Sequence, residues 1–438
     1  MSISDLLRKS YITVRNEGFK KFIKKTINYL QKENTNLSIS INQDNKVLTV
    51  SSMLSRHFRN LQKIPYLSID SDELRINMVT DSLEKDSLFG GVATALIIST
   101  MWAKKKKCKL RIITRNAPIN STAYNKIMRI NEVEDLPEVD FYSDYDRDED
   151  GKKNNALEVG RNEIFVATSW WSAYAIRKTF PSMKIAYVLQ EVETFFYPHG
   201  DEHSLCQSIM QDDNMVYVVN TKLLFDYFKV YEKNVARNGI SFEPAFVRSL
   251  YQKKTKGDDK KKLRLFFYAR PNNPRNLFYR GISFINKGIN AGIIDTNKWE
   301  IVCLGVNVPN VIFDNGYKLI NKGILELDKY GEFLSDVDLA LSLMYTPHPS
   351  YPPYDVLCSG GVVLTNRYEN KKEFQFCENA VLFDLNNDDS FLSNLEKAID
   401  LAENNEKRIN NYHQSKICRD WSESLKDTIS FLEKRYER

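Results

Sequence analysis

The feature that most constrains this chain is an alternation of short apolar runs and helical segments that begins near residue 74, breaks once, and begins again. The first series comprises residues 74–79, 110–114, 163–168, 184–189 and 215–219, with a helix opening at Val92. Ten polar residues, 253–262, interrupt it. The second series comprises residues 263–268, 299–304, 339–343 and 362–365, and from Ser390 the chain reads as helical. Strands this apolar, separated by helices, form mostly parallel sheets covered on both faces. The expected fold is therefore α/β, with two Rossmann-like domains whose parallel sheets face each other across a central cleft. Ligands of such sheets sit outside the carboxyl ends of the strands. The expected division is an N-terminal basic helical segment and linker over 1–70, a first domain over 71–255, and a second domain with a helical tail over 256–438.

Composition narrows the function classes. Apolar residues are 42% of 438, ample for two cores, so global disorder is excluded. Sixty-two basic against 57 acidic residues leave a formal charge of +5, which does not describe a dedicated nucleic-acid binder. Six cysteines at 108, 206, 303, 358, 377 and 418 form no CxxC pair, which fits reduced thiols rather than a zinc site or a disulfide framework. No secretory h-region or membrane-length apolar run is present, so a cytoplasmic protein is expected. The sequence says nothing of oligomeric state.

Phe19, Phe22, Ile23, Ile27 and Leu30 recur at helical spacing among Lys20, Lys21, Lys24 and Lys25. That pattern fits a helix lying on an anionic membrane face or on a partner in a synthesis complex, and equally one packed on the protein's own body with solvated lysines. The run from Asp146 to Gly151 imitates the start of a calcium loop, but its twelfth position is Leu157 and Glu158 comes one residue late. It reads as a solvated acidic loop, and no metal is assigned.

Two loops of the second series carry chemistry. Arg270 and Arg275 follow a strand on a segment stiffened by Pro271 and Pro274, before a helix expected from Leu277. Guanidinium forks fixed there suit diphosphate oxygens. The second loop, residues 342–355, contains His348-Pro349-Ser350-Tyr351-Pro352-Pro353 and leads into a helix ending at Gly360-Gly361. The prolines fit a helix start, which would put Asp355 in the first turn, facing the cleft, where it could accept from a ribose hydroxyl. Gly360 closes the helix and would let backbone approach phosphate. In the first series, Gln190, Glu191 and Glu193 follow a strand and lead into Phe195-Phe196-Tyr197, with His199 and His203 nearby. Carboxylates there can bind sugar hydroxyls or act as a base, and the rings can stack on sugars or pack in a core.

These stretches resemble GT-B glycosyltransferases, and most specifically the WsaF-type rhamnosyltransferases of bacterial surface-glycan assembly. The likeness lies in residues 269–276, in 342–366 with its HPSYPP segment, in 187–201 with its FFYPHG block, and in the early glycine loop Phe89-Gly90-Gly91-Val92. It runs in patches from about residue 74 to 430. The resemblance implies a dTDP-L-rhamnose donor bound by the second domain, a glycan acceptor bound by the first, and no cofactor. Carried over by position, Arg270, Arg275, Lys322, Tyr351, Asp355 and Gly360 would bind the donor. Gly90, Gly91, Gln190, Phe196 and Tyr197 would bind the acceptor, and Glu191, Glu193 and His348 are the catalytic candidates. The family usually has Glu where this chain has Asp355, and Lys322 is the residue that answers to its expected lysine. The expected function is sugar transfer to a cell-surface glycan. A sugar-nucleotide epimerase on the same scaffold and a catalytically silent glycan-binding partner are the alternatives.

Overall fold

The structure is a computed structural model that describes residues 49–84, 90–145, 156–252, 262–374 and 376–437. The basic segment at 19–30, Phe89, the acidic loop at 146–151 and the polar run 253–261 lie outside the described residues. The chain divides into two compact units, Met1–Arg59 and Asn60–Arg438. In the first, the helix Val50–His57 starts at Thr49, whose side chain accepts from the Ser52 N–H and satisfies one of the unpaired donors of the first turn.

The larger unit holds fifteen short strands among its described residues. They are β1 (Tyr66–Ser68), β2 (Arg75–Thr80), β3 (Lys109–Thr114), β4 (Val139–Ser143), β5 (Leu157–Val159), β6 (Glu163–Ala167), β7 (Ile185–Leu189), β8 (Met215–Asn220), β9 (Gly239–Phe242), β10 (Leu263–Tyr268), β11 (Trp299–Leu304), β12 (Ile320–Asn321), β13 (Leu339–Leu341), β14 (Val362–Asn366) and β15 (Ala380–Phe383). β1 and β5 form a separate parallel pair. The others build two sheets, ordered β4-β3-β2-β6-β7-β8-β9 and β12-β11-β10-β13-β14-β15, with every pairing parallel. Renumbered within each sheet, both orders begin 3-2-1-4-5-6, the doubly wound Rossmann order. The order in which successive strands are added reverses at β2/β6 in one sheet and at β10/β13 in the other, and those switch points open the crevices where ligands of this architecture bind.

Each central strand is apolar on both faces because helices cover both: β6, β7 and β8 are buried along their whole length. The helix Gly91–Lys106 packs on the first sheet through Ala95, Leu96, Ile98 and Trp102. The helices Phe278–Asn290 and Asp388–Glu403 cover one face of the second through Phe284, Ile285, Phe391 and Leu395. The tail differs from a single helical run: it forms Asp388–Glu403, Asn405–His413 and Trp421–Arg435, with an irregular stretch before Trp421. The last helix buries Trp421, Leu425, Ile429 and Leu432 in the core of the first sheet. The chain thus passes between the two halves twice. The crossings lie side by side, joined by the Phe246 N–H to the Cys418 carbonyl at 2.9 Å. Arg419 reinforces them by donating to the carbonyls of Phe246, Tyr251 and Cys358.

Candidate active site

The two basic-loop segments leave the second sheet on either side of its switch point, one after β10 and one after β13. They are tied together by the Tyr345 N–H to the Arg275 carbonyl at 2.8 Å and by the Asn276 side chain to the Leu343 carbonyl. Each ends on a non-glycine residue with positive φ, Leu277 at 50° and Ser350 at 70°. Such conformations cost free energy and persist where surrounding contacts impose them, commonly at functional sites. Ser350 is held by its N–H donating to His348 Nδ1 at 3.0 Å.

The loop after β7 in the first half meets these segments directly. Glu191 Oε2 accepts from Arg275 Nη1 at 2.6 Å and from the Thr346 hydroxyl at 3.2 Å, while Oε1 accepts from the Val192 N–H. The Arg275 guanidinium also lies over the Phe196 ring, 4.3 Å from its centroid. Burial raises the Glu191 pKa, and the Arg275 charge is the largest influence opposing it. A wholly buried lysine, Lys371, donates to the Met344 carbonyl at 2.8 Å. Its pKa is lowered to about 7 by desolvation, opposed by the charge of Glu191. His348 is buried too, and desolvation followed by the Lys371 and Arg275 charges lowers its pKa to about 3. It is therefore neutral. Because Nδ1 accepts from Ser350, the ring proton sits on Nε2, which is buried and has no partner. His348 is thus a hydrogen-bond donor at that nitrogen rather than a base.

A second junction joins the halves. The Tyr351 hydroxyl is 2.5 Å from Thr94 Oγ1 and accepts from Asn220 Nδ2 at 2.6 Å, with Gln190 Oε1 beyond at 3.5 Å. Gln190 in turn donates to the Gly91 carbonyl at 2.7 Å. Gly90 has φ +68°, and a Cβ there would stand 3.0 Å from the Tyr351 ring, so both backbone and space call for glycine.

The remaining expected residues fall as follows. Arg270 is exposed and donates to the Tyr268 hydroxyl at 3.1 Å. Lys322 is exposed beyond the edge strand β12 and is not part of the Glu191 constellation. Asp355 departs from its expected place in a first turn, because the helix begins at Tyr351 and the fifth residue falls in the second turn. Its Oδ2 accepts from the Tyr330 hydroxyl at 2.9 Å, and burial raises its pKa to about 7 against the hydroxyls of Tyr330 and Tyr251. Gly360, φ +80°, turns the chain from this helix into the start of β14, at the amino-terminal end of the sheet and away from the two loops. Glu193 accepts from the Trp170 N–H at 2.7 Å, the first residue of the helix Trp170–Thr179. Burial raises its pKa to about 7. The Tyr197 hydroxyl accepts from Trp170 Nε1 at 3.1 Å. The His199 and His203 rings lie against each other at a tilt, centroids 4.4 Å apart, outside the constellation.

Lys371 and Thr346 are the members that sequence reasoning missed. Thr346 stands within the quoted loop, whereas Lys371 lies in Asn370-Lys371-Lys372-Glu373, a run that looks solvated. Among the described residues no cluster of three or more His, Cys, Asp or Glu is placed to hold a metal ion.

Residues 75–222 match the family described as "WsaF, N-terminal domain", and residues 263–396 match "WsaF, C-terminal domain". The O-antigen biosynthesis protein RfbC of Myxococcus xanthus is 25% identical over 210 residues, 47% of this chain. The match spans only 15% of that relative's length. Among solved structures, sucrose-phosphate synthase from Thermosynechococcus elongatus superposes with a TM-score of 0.58 at 7% identity, over 83% of this chain and 99% of its own. A TarM variant from S. aureus, solved with Fondaparinux, alpha-GlcNAc-glycerol and UDP, gives 0.53 at 10% identity, over 83% and 99%. At such identities the structural likeness speaks for the fold alone, two facing Rossmann-like halves of GT-B type. With both halves matched in chain order, this chain belongs to the WsaF-type family of GT-B glycosyltransferases.

Proposed function

We propose that the protein transfers a sugar from a nucleoside-diphosphate donor to a surface glycan, with dTDP-L-rhamnose as the donor. The observation that carries the general reading is the donor-rich constellation at the second sheet's switch point. Arg275 and Thr346 meet the buried Glu191 there, with His348 in the same loop and Lys371 bonded to that loop through the Met344 carbonyl. Transfer breaks the bond between the anomeric carbon and the diphosphate, and negative charge grows on the departing oxygen. Fixed cations and N–H donors stabilise that charge most effectively where water is excluded. Arg270, exposed at the start of the same loop, is proposed as a ligand of the second phosphate on the strength of the family resemblance.

The acceptor is proposed to enter from the first half, past the loop 190–197. There Phe196 presents a half-buried ring and Glu191 a carboxylate able to orient an incoming hydroxyl. The WsaF family match and the O-antigen biosynthesis relative support surface glycan as the acceptor class, and the UDP of the TarM structure agrees with a nucleotide donor. Rhamnose and thymidine rest on the resemblance of the HPSYPP and FFYPHG segments. A cytoplasmic place of action, with Lys20 to Lys25 touching an anionic membrane face, belongs to the same proposal. No described helix is long and apolar enough to cross a membrane.

The test is calorimetric binding and donor turnover with dTDP-L-rhamnose, dTDP-glucose, UDP-glucose and UDP-GlcNAc, with and without glycan acceptor. Preferential transfer from dTDP-L-rhamnose is expected. Turnover of another donor would replace the rhamnosyl assignment, and no binding to any sugar nucleotide would overturn the whole reading.

A further inference from the structure

The carboxylate of the constellation comes from the opposite half of the molecule to the arginine it pairs with. Glu191 follows β7, whereas Arg275, Thr346 and Lys371 follow β10, β13 and β14. One oxygen of Glu191 accepts from both Arg275 and Thr346. The contact is incomplete on the cationic side. Glu191 engages one guanidinium nitrogen, although the fork is built to hold two oxygens of one anion. The Lys371 ammonium has three N–H donors and gives one to the Met344 carbonyl. His348 Nε2 has no acceptor at all. The carboxylate therefore leaves donor capacity on Arg275 unused, and the neighbouring His348 Nε2, buried and without an acceptor, is a donor whose unfilled state is costly.

A diphosphate fits that excess capacity. It carries more charge than a carboxylate, offers oxygens to both nitrogens of the fork, and has acceptors to spare for the ammonium and the imidazole N–H. We infer that Glu191 is a built-in competitor of the donor: its carboxylate and the donor's diphosphate contend for the Arg275 guanidinium. This rests on the donor reading given under Proposed function and adds to it a role for one residue. Displacement strands a buried carboxylate, and stranding one member of a buried pair is expensive. Only a ligand that supplies more than Glu191 does can take the guanidinium, which sets a threshold against weaker cellular anions. The same displacement undoes a tie between the two halves, so diphosphate binding and the interdomain contact are coupled.

Binding of dTDP, UDP and inorganic pyrophosphate to the full-length protein, measured by calorimetry, tests this. Glu191→Gln keeps the size and the Val192 contact but removes the competing charge, and is expected to tighten all three ligands by about tenfold or more. Glu191→Asp, which cannot span the same distance, is expected to tighten them less, and serves if the glutamine variant does not fold. Thermal unfolding of each variant reports whether it is native. Wild-type protein that binds dTDP while a folded Glu191→Gln variant binds it equally or more weakly overturns the competitor role and leaves the donor reading standing. Failure of wild type and both variants to bind any of the three overturns the donor reading and this inference together.

Discussion

The loop after β7 and the loops after β10 and β13 leave sheets that share one strand order, yet they are chemical opposites. The first brings Glu191 and Glu193, the second Arg275, His348 and, from beyond β14, Lys371. The two carboxylates also differ from each other. Glu193 faces the start of a helix in its own half, where a negative group meets unpaired N–H donors. Glu191, two residues earlier, reaches into the other half. The scaffold fixes where a site forms, while single residues on loops after different strands of the shared order decide which half contributes which charge.

The sharpest way to break the comparison is to discharge the basic side. Arg275→Ala is expected to lower transfer, read as kcat/KM, by about 100-fold or more, as for removal of a preorganised transition-state donor. An effect under fivefold would remove Arg275 from the chemistry. Next comes the junction between the halves. Gly90→Ala places a Cβ against the Tyr351 ring at a left-handed φ and is expected to cost about 1–2 kcal/mol in stability, seen as a lower Tm. Lys371→Met is expected to weaken dTDP binding by about tenfold with little loss of stability, because it also removes the cost of burying an amine.

The smallest expected effect is a difference with pH. The folded Asp355 carboxyl titrates at about 7 against 3.8 unfolded, so between those values the native state holds a proton that the unfolded chain releases. Its contribution to stability therefore falls as pH rises through that window. Asparagine does not titrate. The Tm of Asp355→Asn relative to wild type should accordingly rise from about pH 5 to about pH 8, and a constant offset would show that the carboxyl is not raised.

Much of the architecture was legible because central strands must be apolar on both faces. The runs at 75–80, 185–189 and 299–304 could hardly be anything else. Six of the described strands were not read: β1, β5 and β12, which are only two or three residues long, and β4, β9 and β15. β4 and β9 lie at a sheet edge with partly exposed residues, so no continuous apolar run marks them, and β15, the other sheet's edge, is half exposed at its start. In the site, the loop positions of Arg275, His348 and Glu191 were readable from the strand–loop–helix pattern. Lys371 was not, since its burial depends on the Tyr368–Lys371 pairing and on the Met344 carbonyl of another loop. The direction of Asp355 and the destination of the last helix are likewise tertiary facts with no local signal.

The paired crossings near Phe246 and Cys418 carry a mechanical consequence. A single connecting strand would act as a swivel and leave the halves free to turn in any direction. Two bonded to each other behave as a strap, stiff against shear and pliable mainly in the bend they share. Scission of the backbone between the sheets would leave the halves leashed by the other crossing. Removal of the residues after His413 would sever one crossing and strip Trp421, Leu425, Ile429 and Leu432 from the first half at once.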